Sequence, residues 1–112
     1  MMAGLAVGLF PAARYLEAQE IDLVELTTDD VQVGYAAGKF TAVELTQAFL
    51  DRIERYEAHY NAFISMNPDA LATAAQLDVE YGLDGPRGPL HGVPVVIKDN
   101  IDYGGLVTTA GW

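Results

Sequence analysis

A capping box followed by one long apolar stripe is the feature that most constrains this fold. Thr41 and Glu44 are spaced so that each side chain accepts a hydrogen bond from the other residue's backbone N–H. Apolar residues then recur at steps of three or four, the period of one helix face, and they are Ala42, Leu45, Phe49, Ile53, Tyr56 and Tyr60. The sequence therefore predicts an amphipathic helix over 41–60 that buries one face.

Two further segments carry helix start and stop signals. Threonine and aspartate side chains at 27–30 are typical N-terminal caps, and Gly38 supplies the left-handed residue that commonly ends a helix. Asn67, followed by a proline and an aspartate, forms another helix start, and Gly82 follows its last apolar position. These signals predict helices over 29–37 and 67–81.

The remaining apolar segments are short and rich in β-strand formers. Phe63 and Ile64 lie in a run over 61–66, and a β-branched run over 95–98 ends in Lys98. Between the last helix and the second run, 82–94 is so rich in glycine and proline that a regular element is excluded. The order of helices and strands predicts an α/β fold, in which N-terminal helices pack beside the first strands of a mixed sheet.

Length, charge and cysteine content limit the function classes. A chain of 112 residues fits one small domain or part of a larger one, and the lack of cysteine excludes disulfides, thiolate zinc sites and cysteine nucleophiles. A net charge of -10 disfavours direct binding of nucleic acid. Residues 1–21 read as an N-terminal arm or leader remnant whose apolar run is too short to span a membrane. A cytoplasmic location is favoured, and export with a degenerate leader stays open.

Lys98 is the residue whose position most suggests chemistry. It follows three β-branched residues, so the sequence predicts a desolvated ammonium whose pKa falls below the ordinary value of about 10.4. A lysine of that kind can act as a general base. The alternative is a lysine at a strand end that reaches water or pairs with Asp99.

The stretch around Lys98 resembles the amidase signature family. The resemblance rests on GPLHGVPVVIKDNID at 88–102 and on TTAG at 108–111, with TAVEL at 41–45 and YNAFI at 60–64 upstream. Several segments in one order are far more specific than a lone motif. The resemblance covers about 22–111, which is therefore expected to be the N-terminal part of an amidase domain.

The resemblance implies hydrolysis of carboxamides by a serine nucleophile, a bridging serine in a cis peptide bond and a lysine base. Lys98 matches the family's catalytic lysine, and Asp99 and Asn100 beside it would either orient Lys98 or form a turn. Backbone amides of a Gly/Ser-rich loop would hold the oxyanion. No metal or organic cofactor is implied, and the implied substrate is a small-molecule amide.

Other candidate residues carry weaker signals. His91 and His59 stand alone and are expected to be hydrogen-bonded locally, and Ser65, the only serine, lacks the glycine-rich surroundings of a nucleophile. The sequence thus predicts a fragment of an amidase signature hydrolase that carries only the lysine. The alternative is a non-catalytic α/β remnant or docking module that complements another chain. Self-association through an unpaired strand edge at 95–97 is also expected.

Overall fold

The computed structural model describes residues 21–112, and over that range the protein consists of three helices. They are α1 (Thr28–Ala36), α2 (Ala42–Tyr60) and α3 (Ala70–Asp84). Residues 1–20 of the predicted arm or leader lie outside the described range. Among the described helices, none has the length and apolar character needed to cross a membrane.

The first two helices follow the predicted capping signals. Thr27 caps α1 in a reciprocal pair with Asp30, and Thr41 caps α2 in the same way with Glu44. The chain leaves α2 at Asn61, whose φ of 48° is left-handed and whose N–H donates to the carbonyl of Glu57. The predicted helices over 29–37 and 41–60 are confirmed.

The third helix is shifted toward the C-terminus relative to its prediction. It begins at Ala70, since Asn67 uses its side chain to accept from the Asp69 N–H before the helix starts. It also continues through Gly82, because a helical glycine costs only about 1 kcal/mol relative to alanine. Gly85, with a φ of 77°, ends the helix, and the proline that follows disfavours further helical backbone.

The predicted α/β fold is wrong, because residues 21–112 contain no strand. Both proposed strands, 61–66 and 95–98, are irregular chain, and Val95 and Val96 remain 71% and 75% exposed. A strand is stabilised by a hydrogen-bonded neighbour, and β-branched composition cannot supply one. Without a paired extended segment in the described range, neither run forms a ladder, and the mixed sheet is absent there.

The core lies where the three helices and the 85–93 loop meet. Its buried apolar side chains are Val31, Tyr35, Phe40, Ala42, Leu45 and Ala74. The stripe of α2 enters this core only with its N-terminal half: Leu45 is fully buried, Phe49 is half-buried and Tyr60 is 69% exposed. The prediction of one continuous buried face is therefore correct for the first half of α2 alone.

One side chain of α3 completes the capping of α2. The two carboxylate oxygens of Asp78 accept hydrogen bonds from the backbone N–H groups of Ala42 and Val43, at 2.7 and 3.0 Å. The Thr41 hydroxyl accepts from the next amide, that of Glu44, at 3.1 Å. The first three amides of α2 are thus paired, and a negative charge lies at the positive end of the helix.

We expect Asp78→Ala to destabilise the chain by about 1–3 kcal/mol, because it leaves two partly buried amides without an acceptor. Asp78→Asn retains one acceptor oxygen and should lose less. Urea unfolding monitored by circular dichroism measures both. Asp84→Ala, an exposed aspartate at the end of α3, is the control and should change the free energy of unfolding by no more than about 0.5 kcal/mol. Equal losses at the two positions would contradict the capping role.

Candidate active-site segment

The 85–93 loop is held against α3 by His91, which is only 6% exposed. The backbone N–H of Arg87 donates to Nδ1 of His91 at 3.1 Å, so the proton of the neutral ring lies on Nε2. That Nε2 lies 2.9 Å from the carbonyl of Leu77 and donates to it. Arg87 adds a second link, because its guanidinium forms two hydrogen bonds with the Glu80 carboxylate. His91 therefore has a structural role, since each of its ring nitrogens forms a hydrogen bond that holds the loop.

Helix α1 also holds this loop, through two side chains. The Gln32 side-chain amide donates to the His91 carbonyl at 2.9 Å, and the Tyr35 hydroxyl donates to the Gly92 carbonyl at 2.6 Å. Burial, and secondarily the negative charge of Asp78, raises the pKa of the Tyr35 hydroxyl far above its usual range. Tyr35 therefore stays protonated and remains a donor at any ordinary pH.

Gly92 is required at this point of the loop. Its φ is +70°, and a Cβ atom there would lie 3.1 Å from the Tyr35 hydroxyl and 3.2 Å from Cβ of Ala42. A side chain would thus combine backbone strain with tight contacts to both helices. The close approach lets the loop pack on the core immediately before the segment that leads to Lys98.

Lys98 lies at an exposed turn after this anchored loop. The chain extends from Val93, which packs against the core, and then turns where the Ile101 N–H donates to the Lys98 carbonyl at 2.9 Å. The apolar residues before Lys98 do not cover its side chain, so the desolvation predicted from the sequence is not observed in this chain. Asn100 is exposed in the same turn.

Asp99 joins the Lys98 turn to the 109–111 segment. One carboxylate oxygen accepts from the Thr109 backbone N–H at 3.2 Å, and the other accepts from the Thr109 hydroxyl and from the Gly111 N–H at 3.3 Å. The Thr109 hydroxyl above all, and then the Thr109 N–H, holds the pKa of Asp99 below its ordinary value. The two ends of the 99–111 stretch are thereby brought together.

The other candidates from the sequence lie in different elements. Ser65 is exposed in the irregular segment between α2 and α3, and His59 lies near the end of α2 with its ring against Tyr60. Within residues 21–112, no group of three histidine, aspartate or glutamate side chains could hold a metal ion. The structure thus brings Asp99, the sequence neighbour of Lys98, together with Thr109, and it does not add either histidine to that segment.

Sequence reasoning missed the residues that anchor the loop. Gln32 and Tyr35 are three positions apart and share one face of α1, and a buried tyrosine generally needs a partner for its hydroxyl. That signal could have identified Tyr35 as an anchor. Asp78 had no comparable signal, because a carboxylate that caps another helix cannot be distinguished in sequence from one facing solvent.

The pKa of Asp99 predicts how the 109–111 segment responds to acid. Because the folded-state pKa is lowered, the hydrogen bonds are fully present above the ordinary value of 3.8 and are lost as the pH falls through the lowered folded value. The amide NMR signals of Thr109 and Gly111 should therefore shift below pH 3.8.

In Asp99→Asn this acid-dependent step should disappear, and the two amides should already be weakly bonded at neutral pH. Asp102→Asn, which alters an exposed carboxylate in the same stretch, should leave the step in place. Amide signals of wild type that stay constant below pH 3.8 would contradict the assignment.

Comparison with known proteins connects this segment to a family. A family model described as Amidase matches residues 44–112, a range that includes His91, Lys98, Asp99 and Thr109. A glutamyl-tRNA(Gln) amidotransferase subunit of Chloroflexus aurantiacus is 45% identical over 91 residues, which are 80% of this chain and 19% of the relative. The amidotransferase subunit of the same name from Renibacterium salmoninarum is 38% identical over 91 residues, 80% of this chain and 18% of the relative.

A protein of Schizosaccharomyces pombe whose name marks it as a candidate amidase is 34% identical over 107 residues, 95% of this chain and 18% of the relative. No solved structure matches the chain. The chain spans about a fifth of the length of the curated relatives it matches. Because the family model covers more than half of its residues, this chain belongs to the amidase family.

Proposed function

We propose that this chain is the lysine-bearing part of an amidase that hydrolyses carboxamides, with Lys98 as the base. The observation that carries the proposal is the position of Lys98 within the family match, at an exposed turn that the Asp99 carboxylate ties to the 109–111 segment. This turn follows the 85–93 loop, which hydrogen bonds hold to α1 and α3. Lys98 is therefore close in sequence to an anchored part of the fold.

The proposed chemistry is acyl transfer to a serine. The serine oxygen attacks the amide carbon, and its proton passes through the bridging serine to the neutral amine of Lys98. The C–N bond then breaks, the proton goes to the departing ammonia or amine, and water hydrolyses the resulting ester. Burial favours the neutral form of a lysine, and Lys98 is exposed here, so the proposal requires that the rest of an amidase site cover it.

Both serines and the oxyanion donors have to come from polypeptide outside this chain. Ser65 is its only serine and lies exposed in the segment between α2 and α3. Loss of one oxyanion donor alone lowers kcat by about 100- to 1,000-fold, so a lysine without nucleophile and donors has little to activate. We therefore expect no ammonia release from a panel of aliphatic, aryl and peptide amides by the isolated chain.

A docking module that complements another chain is the second candidate function. It is favoured by the many apolar side chains that the described residues leave exposed and by the small share of each relative that the chain covers. The two functions differ in one requirement, because a docking module would not need the amine of Lys98. Under either function the charge of -10 disfavours direct contact with nucleic acid.

The test of the lysine role uses a hybrid enzyme, in which residues 21–112 replace the aligned segment of the Chloroflexus aurantiacus relative. Lys98→Ala should lower kcat for amide hydrolysis by about 100-fold or more. Lys98→Arg should be equally impaired, because a guanidinium with a pKa above about 12 does not release its proton near neutral pH.

Lys39→Arg, an exposed lysine in the connection between α1 and α2, is the matched control and should leave kcat unchanged. A Lys98→Arg hybrid with the kcat of the unsubstituted hybrid would refute the role of Lys98 as base. It would leave the docking module as the better description of the chain.

We also propose that the chain self-associates through its exposed apolar 95–97 segment, although no strand forms there. Val95 and Val96 are 71% and 75% exposed and adjacent, and water-exposed apolar patches promote association. Sedimentation velocity should show mass rising with concentration, and Val95→Ser with Val96→Ser should reduce that rise. Val24→Ser, at a residue that is 63% exposed and outside this segment, should leave the rise of mass with concentration unchanged. A monomer at every concentration would contradict this proposal.

A further inference from the structure

The second half of α2 forms one wall of an open groove of about 460 Å³. We call it the distal groove, and its apolar lining is Phe49, Ile53, Tyr56, Tyr60, Ala62 and Phe63. It begins where the core ends, because Leu45 is fully buried, Phe49 is half-buried, and Tyr56 and Tyr60 are 41% and 69% exposed. From Phe49 to Tyr60 the apolar stripe therefore continues for about three turns past the core.

The far wall of the distal groove is held in place by specific contacts. Asn61 turns the chain with a left-handed φ of 48°, and both carboxylate oxygens of Glu57 accept from the Phe63 N–H at 3.1 Å. These contacts fold the chain back so that Phe63, half-buried, faces the helix. The groove is thus preformed, which lowers the ordering cost of filling it.

The rim of the distal groove resembles the edge of a protein interface. The guanidinium of Arg52 lies 5.1 Å from the centre of the Tyr56 ring, as a cation over an aromatic face. Tyrosine and arginine around an apolar centre are the residues enriched in protein interfaces. The groove is therefore suited to an apolar element of a folded polypeptide that ends in polar groups at the rim.

Two observations identify the occupant. The family match starts at Glu44, so most of the α2 stripe belongs to the region shared with amidases, while the chain spans only about a fifth of its relatives. The self-association proposed above uses the 95–97 segment, and none of its residues line the groove. The remaining four-fifths of an amidase polypeptide is thus the better match for the groove.

We propose that the distal groove is the docking site for an apolar element of the part of an amidase polypeptide that this chain lacks. The inference rests on the proposed function, since it supplies the contact through which Lys98 would be joined to the serines. It assigns to the C-terminal half of α2 a role distinct from that of its N-terminal half, which builds the core of the chain itself.

The absence of cysteine from this chain allows a direct test by thiol labelling, since a single introduced cysteine is then the only thiol of this chain, and its label is measured on this chain alone. The chain with Tyr60→Cys is mixed with a polypeptide that contains the Chloroflexus aurantiacus relative without its 91 aligned residues. At saturation the labelling rate should fall by about tenfold or more, as expected for a residue buried in an interface. The Glu54→Cys control, on the exposed face of α2, should change by less than about twofold.

A binding measurement on the same mixture provides the second variant. Tyr60→Glu should weaken the complex by about tenfold or more, because it puts a charge into the apolar lining of the groove. Val79→Glu adds the same charge at a 63% exposed apolar residue of α3 outside the groove, and it should weaken binding by less than about twofold. Both residues are exposed in this chain, so neither change should alter its circular dichroism.

Three results would overturn the docking proposal: no complex, a complex in which Tyr60→Cys still labels at the rate of the free chain, or protection that appears in the chain alone and grows with its concentration. Failure of the proposed function looks different. Groove protection together with undiminished hydrolysis by Lys98→Arg would remove the lysine role and keep the docking site. Lys98-dependent hydrolysis in the hybrid enzyme without groove protection would keep the lysine role and remove the docking site.

Discussion

The carboxylate of Asp78 at the N-terminus of α2 is the interaction on which the arrangement of the helices depends. It pairs two amides that would otherwise be left without partners as α3 packs against α2, so the two helices meet at a fixed point. The loop that leads to Lys98 is held by the same packed helices, because the Tyr35 hydroxyl of α1 donates to the Gly92 carbonyl and His91 donates to the Leu77 carbonyl of α3. Its placement therefore depends on how the helices pack.

The helices could be predicted because their signals are local. The capping box at Thr41 forms as predicted, and the capping side chains predicted at 27–30 include a second such box, between Thr27 and Asp30. The end of α3 was predicted at Gly82 and lies at Gly85, because a helix whose other face packs on a core tolerates one glycine. The strands failed for a stronger reason: a β-branched run does not specify whether a hydrogen-bonding neighbour exists.

In the candidate site, too, the features set by neighbouring residues could be predicted and those set by distant contacts could not. The Lys98 motif could be found from the sequence because its residues are contiguous and the family match includes them. The hydrogen bonds between Asp99 and Thr109 join residues ten positions apart in irregular chain, and no periodic sequence pattern predicts them. The predicted desolvation of Lys98 failed because burial of a side chain is set by what covers it, and residues 95–97 are themselves exposed.

The hydrogen bonds that hold the 85–93 loop to α1 join residues far apart in the chain, and this separation affects the order of folding. Gln32 and His91 are 59 positions apart, and Tyr35 and Gly92 are 57 apart, whereas the contacts within each helix join near neighbours. Closing so long a loop costs chain entropy that helix formation does not require. We therefore expect α1, α2 and α3 to form and pair first, so that the stretch carrying Lys98 becomes ordered last, on a helical support that already exists.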